Sequence, residues 1–237
     1  MSDKNKFNQH IGFAVNNWIP RAKPNKITLK GQYGVLEMLE INKHAAKLFN
    51  ALKIDNKGES WTYLPYGPFE NEKEFSDWLQ KAKSEPDVVF YAILDKQSNP
   101  IGISGYLRIN SEHGTIEVGH LHFSKRLQKT PAATEAMFLM MQYAFEELGY
   151  RRYEWKCNSL NQASCAAALR LGFKFEGTFR QSNVFKGRNR DTNWYSIIDS
   201  EWPALKEKFV RWLNPDNFDK QGNQITRLQT AKQEADE

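Results

Sequence analysis

Residues 115–144 read TIEVGHLHFSKRLQKTPAATEAMFLMMQYA, and this stretch decides the fold. Its first nine residues predict a buried strand. A short basic turn follows, and the run of Ala, Met and Leu after the turn predicts a long helix that ends near Gly149. Thr130 is a favoured N-cap residue, and Pro131 suits the first helical position. The segment therefore reads as strand, turn and helix.

The junction between this strand and this helix is suited to hold a phosphate. Free N–H groups and the positive end of the helix dipole attract anions at a helix start. The small side chains of Ala132 and Ala133 let a ligand approach the backbone. Three cations, Lys125, Arg126 and Lys129, add positive charge. Many helices begin with Thr-Pro, so a well-capped structural helix is the alternative at this point.

The composition is that of an ordinary globular protein, with 40% hydrophobic and 26% charged residues among 237. One domain is favoured over two. The net charge of +5 is spread without a dense basic block, which favours an anionic small molecule over nucleic acid as a partner. There are two cysteines, no apolar run near the roughly 18 residues that cross a membrane, and no apolar signal core. These features predict a cytoplasmic protein with no membrane partner.

The flanking sequence completes an α/β pattern. An N-terminal arm is expected over 1–28, the main domain over 29–200, and a C-terminal helix with a surface extension over 201–237. Helices are predicted over 42–53, 70–83, 130–149, 161–171 and 203–213. Strands are predicted over 27–29, 88–94, 101–110, 115–123, 150–158, 173–179 and 194–198, with a polar loop at 184–193 between the last two.

This order, together with the motifs IEVGHLHF, ATEA, AFEELGYRRYEW, NQAS and RLGFKFEG, resembles the GCN5-related N-acetyltransferase (GNAT) superfamily. Within it, the chain resembles the branch that acetylates ribosomal-protein N-termini. The resemblance covers residues 29–200 and is most specific over 117–175. It implies a single α/β domain whose mixed, mostly antiparallel central sheet is flanked by helices, with a splayed strand pair that holds acetyl-CoA. No metal is expected.

The resemblance also assigns the cofactor-binding residues. The family's phosphate turn maps onto Gln128, Pro131 and Ala133, where Pro131 replaces a glycine and removes one backbone donor. The pyrophosphate is expected on the backbone of the turn, and the pantetheine arm on the strand before it, which a bulge at Gly119 would splay. A glycine in a strand can equally mark close packing against a helix. The turn residues are Gln128, Lys129, Thr130, Ala132 and Ala133, and the strand residues are Leu121 and Phe123.

Catalytic residues follow from the same resemblance. Asn161 and Ser164 are expected beside the cofactor's sulfur, with the Ser164 hydroxyl protonating the departing thiolate; the alternative is a first-turn serine that bonds locally. Glu117 is the first candidate for the base and Glu154 the second. His120 and His122 either share this role or line a pocket. A covalent mechanism through Cys157 is disfavoured, because no base with an orienting partner accompanies it.

The identity of the amine acceptor is left open, as a protein or peptide α-amine or a small molecule. The stretch WTYLPYGPF, residues 61–69, either buries its rings or forms an acceptor groove through Trp61, Tyr63 and Tyr66. Arg180 is a further acceptor candidate. The loop 186–193, with Arg188, Arg190 and Asp191, either grips an acidic acceptor or forms a solvated hairpin. The rival to an enzyme is a non-catalytic acyl-CoA sensor, and a homodimer is an open option.

Overall fold

An eight-stranded sheet forms the centre of the protein, in the computed structural model that describes residues 3–25, 27–53 and 58–228. The strands are β1 Asp3–Lys4, β2 His10–Ile11, β3 Leu29–Lys30, β4 Val35–Met38, β5 Val89–Leu94, β6 Pro100–Asn110, β7 Thr115–Phe123, β8 Arg152–Asn158, β9 Lys174–Phe185 and β10 Arg188–Ile198. The helices are α1 Ile41–Lys53, α2 Glu72–Lys83, α3 Pro131–Gln142, α4 Gln162–Arg170 and α5 Trp202–Leu213.

The sheet is mixed and mostly antiparallel, as predicted. Its order is β3-β4-β5-β6-β7-β8-β10-β9, and β1 and β2 form a small separate hairpin. Every neighbouring pair in the large sheet is antiparallel except β7 and β8, which are parallel. A parallel pair needs a crossover connection, and α3 supplies it. In the part of the chain that the structure describes, no helix is long and apolar enough to cross a membrane.

Helix α3 anchors the fold because it is buried on most of its surface. Thr130 caps it, Pro131 occupies its first position, and one π-helical turn, Tyr143–Glu147, extends it toward Gly149, whose φ is +69°. The buried carboxylate of Glu135 accepts hydrogen bonds from the backbone N–H groups of residues 32–34 at 2.6, 2.7 and 3.0 Å. Helix α3 therefore joins the loop between β3 and β4 to the core.

Strands β7 and β8 diverge halfway along their length. They pair from Thr115 with Arg152 to Val118 with Trp155, and the register ends there. On its other side β7 continues to pair with β6, and a bulge there sets two β7 residues, His120 and Leu121, opposite one β6 residue. The predicted splayed pair is thus present, and its divergence opens a cleft in the middle of the sheet.

The bulge lies one residue beyond its predicted position. His120, not Gly119, has the left-handed backbone, with a φ of +51°. A Cβ atom on Gly119 would lie 2.7 Å from Leu107 Cδ2, so close packing against β6 explains this glycine. The predicted bulge was thus wrong by one residue, whereas the alternative, close packing at this glycine, is present, with Leu107 of β6 rather than a helix as the neighbour.

The polar loop predicted over 184–193 is also wrong. Strand β9 runs to Phe185 and β10 starts at Arg188, so only Lys186 and Gly187 form the turn, with φ of +51° and +70°. Two positive φ values are typical of a tight hairpin turn. The sequence is polar because β9 is an edge strand that is exposed along nearly its whole length. The polar residues of this segment therefore reflect the solvent exposure of an edge strand and do not indicate a loop.

The C-terminal segment packs on α3 and the sheet. The Phe138 ring of α3 contacts Trp202 and Phe209 of α5 at centroid distances of 6.0 and 5.4 Å. Beyond α5, the ring of Phe218 lies 5.1 Å from that of Trp212 and 5.9 Å from that of Tyr33. The side chains of α5 belong to the same apolar core as the sheet. The predicted boundary between a main domain, 29–200, and a C-terminal extension, 201–237, remains a prediction.

Candidate active site

A cleft of about 470 Å³ opens where β7 and β8 diverge. Its floor is formed by the facing halves of these strands, and the hairpin β9–β10 and the aromatic loop after α1 form its walls. The polar and aromatic residues that line it include Tyr63, Tyr66, Arg108, Glu117, His120, Lys156, Asn161, Ser164, Arg190 and Trp194. Three predicted groups, the candidate acid, the first candidate base and the aromatic loop, thus meet in one cavity.

The turn before α3 is built by local hydrogen bonds. The Gln128 side chain donates to the carbonyl of Phe123 at 2.7 Å, and Lys129 has a φ of +60°. Thr130 Oγ1 accepts from the N–H of Ala133 at 3.3 Å, so this amide is already used by the cap. Since Pro131 has no N–H, the amide of Ala132 is the first-turn donor left for a phosphate.

The strand before the turn fits an extended ligand arm. Beyond Val118 the edge of β7 that faces β8 has no register partner in that strand, among the described residues. Leu121 lies in the bulge and lines the cleft. Of the two predicted strand residues, only Leu121 lines the cavity. The carbonyl of Phe123 accepts a hydrogen bond from the Gln128 side chain instead. Because the edge of β7 is exposed between diverging strands, an amide-containing chain such as pantetheine can pair with it.

Ser164 is oriented from two sides at the start of α4. Asn161 caps the helix, and its Oδ1 accepts from the Ser164 N–H at 3.1 Å. The indole N–H of Trp155 donates to Ser164 Oγ at 3.1 Å. A hydroxyl that accepts a hydrogen bond keeps its own proton for donation. The local bonding that was predicted as an alternative is therefore present, and the hydroxyl proton of Ser164 also has the Cys157 thiol within hydrogen-bonding reach.

Cys157 does not have the features of a nucleophile. Its Sγ lies 3.6 Å from Cys165 Sγ, and both thiols are buried. Burial raises the pKa of the Cys157 thiol to about 12, so the reactive thiolate is scarce at neutral pH. This agrees with the expectation against a covalent mechanism.

Glu117 is buried and paired with two cations. Its Oε1 lies 2.6 Å from Arg108 Nη1, its Oε2 lies 2.9 Å from Lys156 Nζ, and 3% of the residue is exposed. Burial raises the pKa of Glu117, and the charges of Arg108 and Lys156 oppose that rise. Lys156 also contacts Glu154 at 2.8 Å. The second base candidate therefore belongs to the same ionic group, one strand further along the sheet.

His120 projects from the bulge into the cleft. Its Nδ1 lies 2.9 Å from the hydroxyl of Tyr66, and its ring lies 4.7 Å from that of Phe90. Burial lowers the pKa of His120 to about 4, and the charge of Arg108 acts in the same direction. The imidazole is therefore neutral at pH 7. His122 instead hydrogen-bonds Ser60 Oγ at 3.0 Å.

The predicted acceptor residues divide between cleft and surroundings. Tyr63 and Tyr66 line the cleft. Trp61 is buried behind them, with its ring 4.0 Å from the His122 ring, so it supports the wall without lining it. Arg180 is exposed in a shallow depression with Gln181, Asn189 and Asp191, outside the cleft.

Several lining residues were not predicted as site residues, among them Arg108, Trp155 and Lys156. Arg108 has a φ of +49° at a second irregularity in the pairing of β6 with β7, and no sequence signal marks it. Trp155 and Lys156 lie on β8 and both line the cleft, although they are neighbours in an alternating strand. Arg190 was named as one option in a loop, and it lies on a strand.

The comparisons with known proteins agree with this geometry. The acetyltransferase (GNAT) domain family matches residues 35–174. A GCN5-related N-acetyltransferase from Brucella melitensis is 46% identical, with a TM-score of 0.88, over 90% of this chain and 97% of that chain. The ribosomal-protein-serine acetyltransferase of Escherichia coli (strain K12) is 29% identical over 107 residues, 45% of this chain and 59% of the relative.

A further solved structure shares the fold at lower identity. RimL, a ribosomal-protein α-N-acetyltransferase in complex with coenzyme A, is 20% identical, with a TM-score of 0.64, over 73% of this chain and 99% of that chain. At this identity the likeness is one of fold.

Proposed function

We propose that this chain, which belongs to the GNAT acetyltransferase family and is an N-acetyltransferase, uses acetyl-CoA as its acetyl donor. It moves the acetyl group directly to a primary amine. The acceptor amine belongs to a peptide N-terminus or to a small molecule. The observation that carries the proposal is the cleft between the diverging strands, where the Ser164 hydroxyl and the Glu117 carboxylate both line one cavity.

Acetyl-CoA would be held by the open edge of β7 and by the start of α3. Leu121 would offer its backbone to the pantetheine arm, and the Ala132 amide would meet the pyrophosphate together with the α3 dipole. Gln128, Lys129 and Thr130 fix the shape of the turn. When bound, acetyl-CoA supplies a thioester carbon at which a C–N bond forms as the C–S bond breaks.

Two protons must move in this reaction, and the cleft offers a group for each. Glu117 accepts the proton that the amine nitrogen loses, directly or through a water molecule. Its raised pKa brings it closer to the range of a base that works near neutral pH. Ser164 Oγ gives its proton to the departing sulfur, and the hydrogen bond from Trp155 stabilises the oxygen as the proton leaves.

An α-amine needs little help from a base. With a pKa near 8, roughly a tenth of an α-amine is neutral at pH 7, whereas a lysine amine with a pKa of about 10.4 is almost fully charged. A buried carboxylate already neutralised by two cations is a modest base. This supports an α-amine over a lysine side chain as the acceptor.

The test is a product screen by mass spectrometry. Wild-type protein with acetyl-CoA is incubated with peptides, amino acids, polyamines and aminoglycosides, and we expect acetylated product from at least one class. Ser164→Ala and Glu117→Gln should bind acetyl-CoA normally and turn over slowly. If both variants acetylate at the wild-type rate, the catalytic assignments are wrong.

A non-catalytic acyl-CoA-binding module is the second candidate, and Pro131 favours it because one backbone donor is missing from the phosphate turn. That candidate predicts acetyl-CoA binding with no acetylated product in any class of the screen. The two functions are therefore separated by the same experiment.

A further inference from the structure

The charges beside the cleft form a balanced chain of ion pairs. Contacts of 2.5 to 2.9 Å link three cations and three carboxylates in alternation across β6, β7, β8 and β9. In order, the chain is Arg108, Glu117, Lys156, Glu154, Arg152 and Glu176. The members neutralise one another, so the chain by itself gives the cleft no net charge.

Arg190 is the cation that this chain does not include. It lines the cleft from β10, half-buried, with its guanidinium 5.0 Å from the ring centre of Phe185. Its Nε donates to Thr192 Oγ1 at 3.1 Å and its Nη1 to the carbonyl of Tyr63 at 3.3 Å. Within residues 3–25, 27–53 and 58–228, no carboxylate lies within 4.0 Å of this guanidinium.

Among the residues that the structure describes, the remaining N–H donors of Arg190 make no hydrogen bond. A guanidinium has five N–H donors, and two of them are engaged here by neutral oxygens. Burial lowers the pKa of Arg190, and the nearby charge of Glu117 offsets this loss of solvation only in part. A partly desolvated guanidinium gains most from a carboxylate that it can bind through two parallel hydrogen bonds.

Arg190 is also held in a fixed position. Lys186, at the tip of the same hairpin, donates to the carbonyl of Trp61 at 2.9 Å, and Arg190 itself donates to Tyr63 in the same loop. The hairpin is thereby tied across the cleft to the aromatic wall. A receptor group whose position is already set loses little entropy on binding.

We propose that the acceptor amine carries a carboxylate, and that Arg190 binds this carboxylate while the amine lies near Glu117 and Ser164. The inference rests on the proposed function and narrows its substrate class. Both a free amino acid, through its α-carboxylate, and a peptide with an acidic residue near its N-terminus have this chemistry. The balanced ion-pair chain leaves Arg190 as the group that distinguishes such acceptors from neutral ones.

Matched acceptor pairs test the proposal. Asparagine and glutamine are compared with their α-amides, which have no carboxylate, and peptides with Asp or Glu at position one or two are compared with the Asn or Gln peptides. We expect the carboxylate member of one pair type to have a kcat/KM about 10- to 100-fold higher, mainly through KM, since a hydrogen bond to a charged group is strong. The responding pair identifies the free amino acid or the peptide.

Variants then assign the preference to Arg190. Arg190→Gln should abolish it, and Arg190→Lys should keep part of it, because lysine retains the charge without the planar fork. Arg188, two positions away on β10, is exposed and does not line the cleft, so Arg188→Gln is the matched control and should leave the preference intact. Thermal unfolding of each variant shows whether it is folded. A folded Arg190→Gln protein that keeps the preference, or a wild type without one, overturns the proposal.

Binding of the reaction products separates this proposal from the proposed function. N-acetylglutamine and its α-amide, together with the acetylated Asp or Glu peptides and their Asn or Gln counterparts, are titrated by calorimetry into protein loaded with coenzyme A. Carboxylate-dependent binding that is lost in Arg190→Gln supports the anion site even if no amine is acetylated, in which case the proposed function alone fails. Turnover of amines with no carboxylate dependence in rate or binding overturns the anion site and leaves the proposed function standing.

Discussion

At the scale of single residues, Ser164 is distinguished by the hydrogen bond that its hydroxyl oxygen accepts inside the cleft. Trp155 fills one acceptor position of Oγ, and Asn161 fixes the backbone of the same residue. We expect Ser164→Ala to lower kcat by about a hundredfold or more, the size of a lost general acid. The KM for acetyl-CoA should change little, because one hydroxyl among many contacts is removed. Steady-state kinetics with the acceptor found in the product screen measures both constants.

The controls for Ser164 separate chemistry from stability. The Ser164→Ala change leaves the Trp155 indole N–H without its acceptor, which costs roughly 1 to 3 kcal/mol of unfolding free energy. Thermal unfolding reports that cost independently of kcat. Ser159→Ala, just before α4, should leave kcat unchanged. A Ser164→Ala enzyme with wild-type kcat would remove this residue from the mechanism.

The sequence located some of these residues and not others, for a physical reason. Asn161 and Ser164 are close in sequence, so helix-capping chemistry predicts their relationship. Glu117 was found as a candidate, but its two cations come from β6 and β8. Which side chains meet across strands depends on register, and near the cleft the pairing of β7 shifts register with β6 and ends with β8.

At the scale of elements, the bulge of β7 holds a histidine that resists protonation. Burial lowers the pKa of His120 to about 4 from 6.5. Between these values the unfolded chain binds more protons than the folded one, so stability falls as the pH drops from 6.5 toward 4. The loss due to His120 is at most about 3 kcal/mol. Denaturant unfolding at several pH values measures it.

The variant for this test must accept the same backbone. His120 has a φ of +51°, and asparagine tolerates the left-handed region better than most residues. His120→Asn should therefore flatten the dependence of unfolding free energy on pH between 4 and 6.5, relative to wild type. Carboxyl groups titrate in both proteins, so the difference between the two curves isolates His120. Parallel curves would show that this histidine is not responsible.

The elements also show where local patterns fail. Strand β7 and helix α3 were predicted closely because no residue of one is exposed and the other is capped by Thr130 and begins with Pro131. The hairpin β9–β10 was missed in its outer half because an edge hairpin is solvated on both faces and lacks alternation. Its position over the cleft, which brings in Arg190, arises from pairing with β8 and contact with Trp61 and Tyr63.

At the scale of the whole molecule, the question is whether the C-terminal segment folds with the sheet. The buried side chain of Asn217 donates to the carbonyls of Trp212 and Thr226 at 3.0 and 3.1 Å and accepts from the Thr226 N–H at 2.8 Å. It thereby holds the segment after α5 against the helix. Leu228, at the end of the described chain, is buried in the main core.

We expect Asn217→Ala to destabilise the entire protein in a single transition. The change leaves two carbonyls and one N–H without partners, which costs about 2 to 4 kcal/mol of unfolding free energy. Because Phe218 packs on Tyr33 next to β3, the loss should lower the midpoint for the whole sheet. Denaturant unfolding and hydrogen exchange across residues 29–228 measure this, with Asn223→Ala on the exposed turn nearby as the control. Faster exchange confined to residues 214–228, with an unchanged midpoint, would instead mean that the extension is a separate surface unit, as the division after residue 200 supposes.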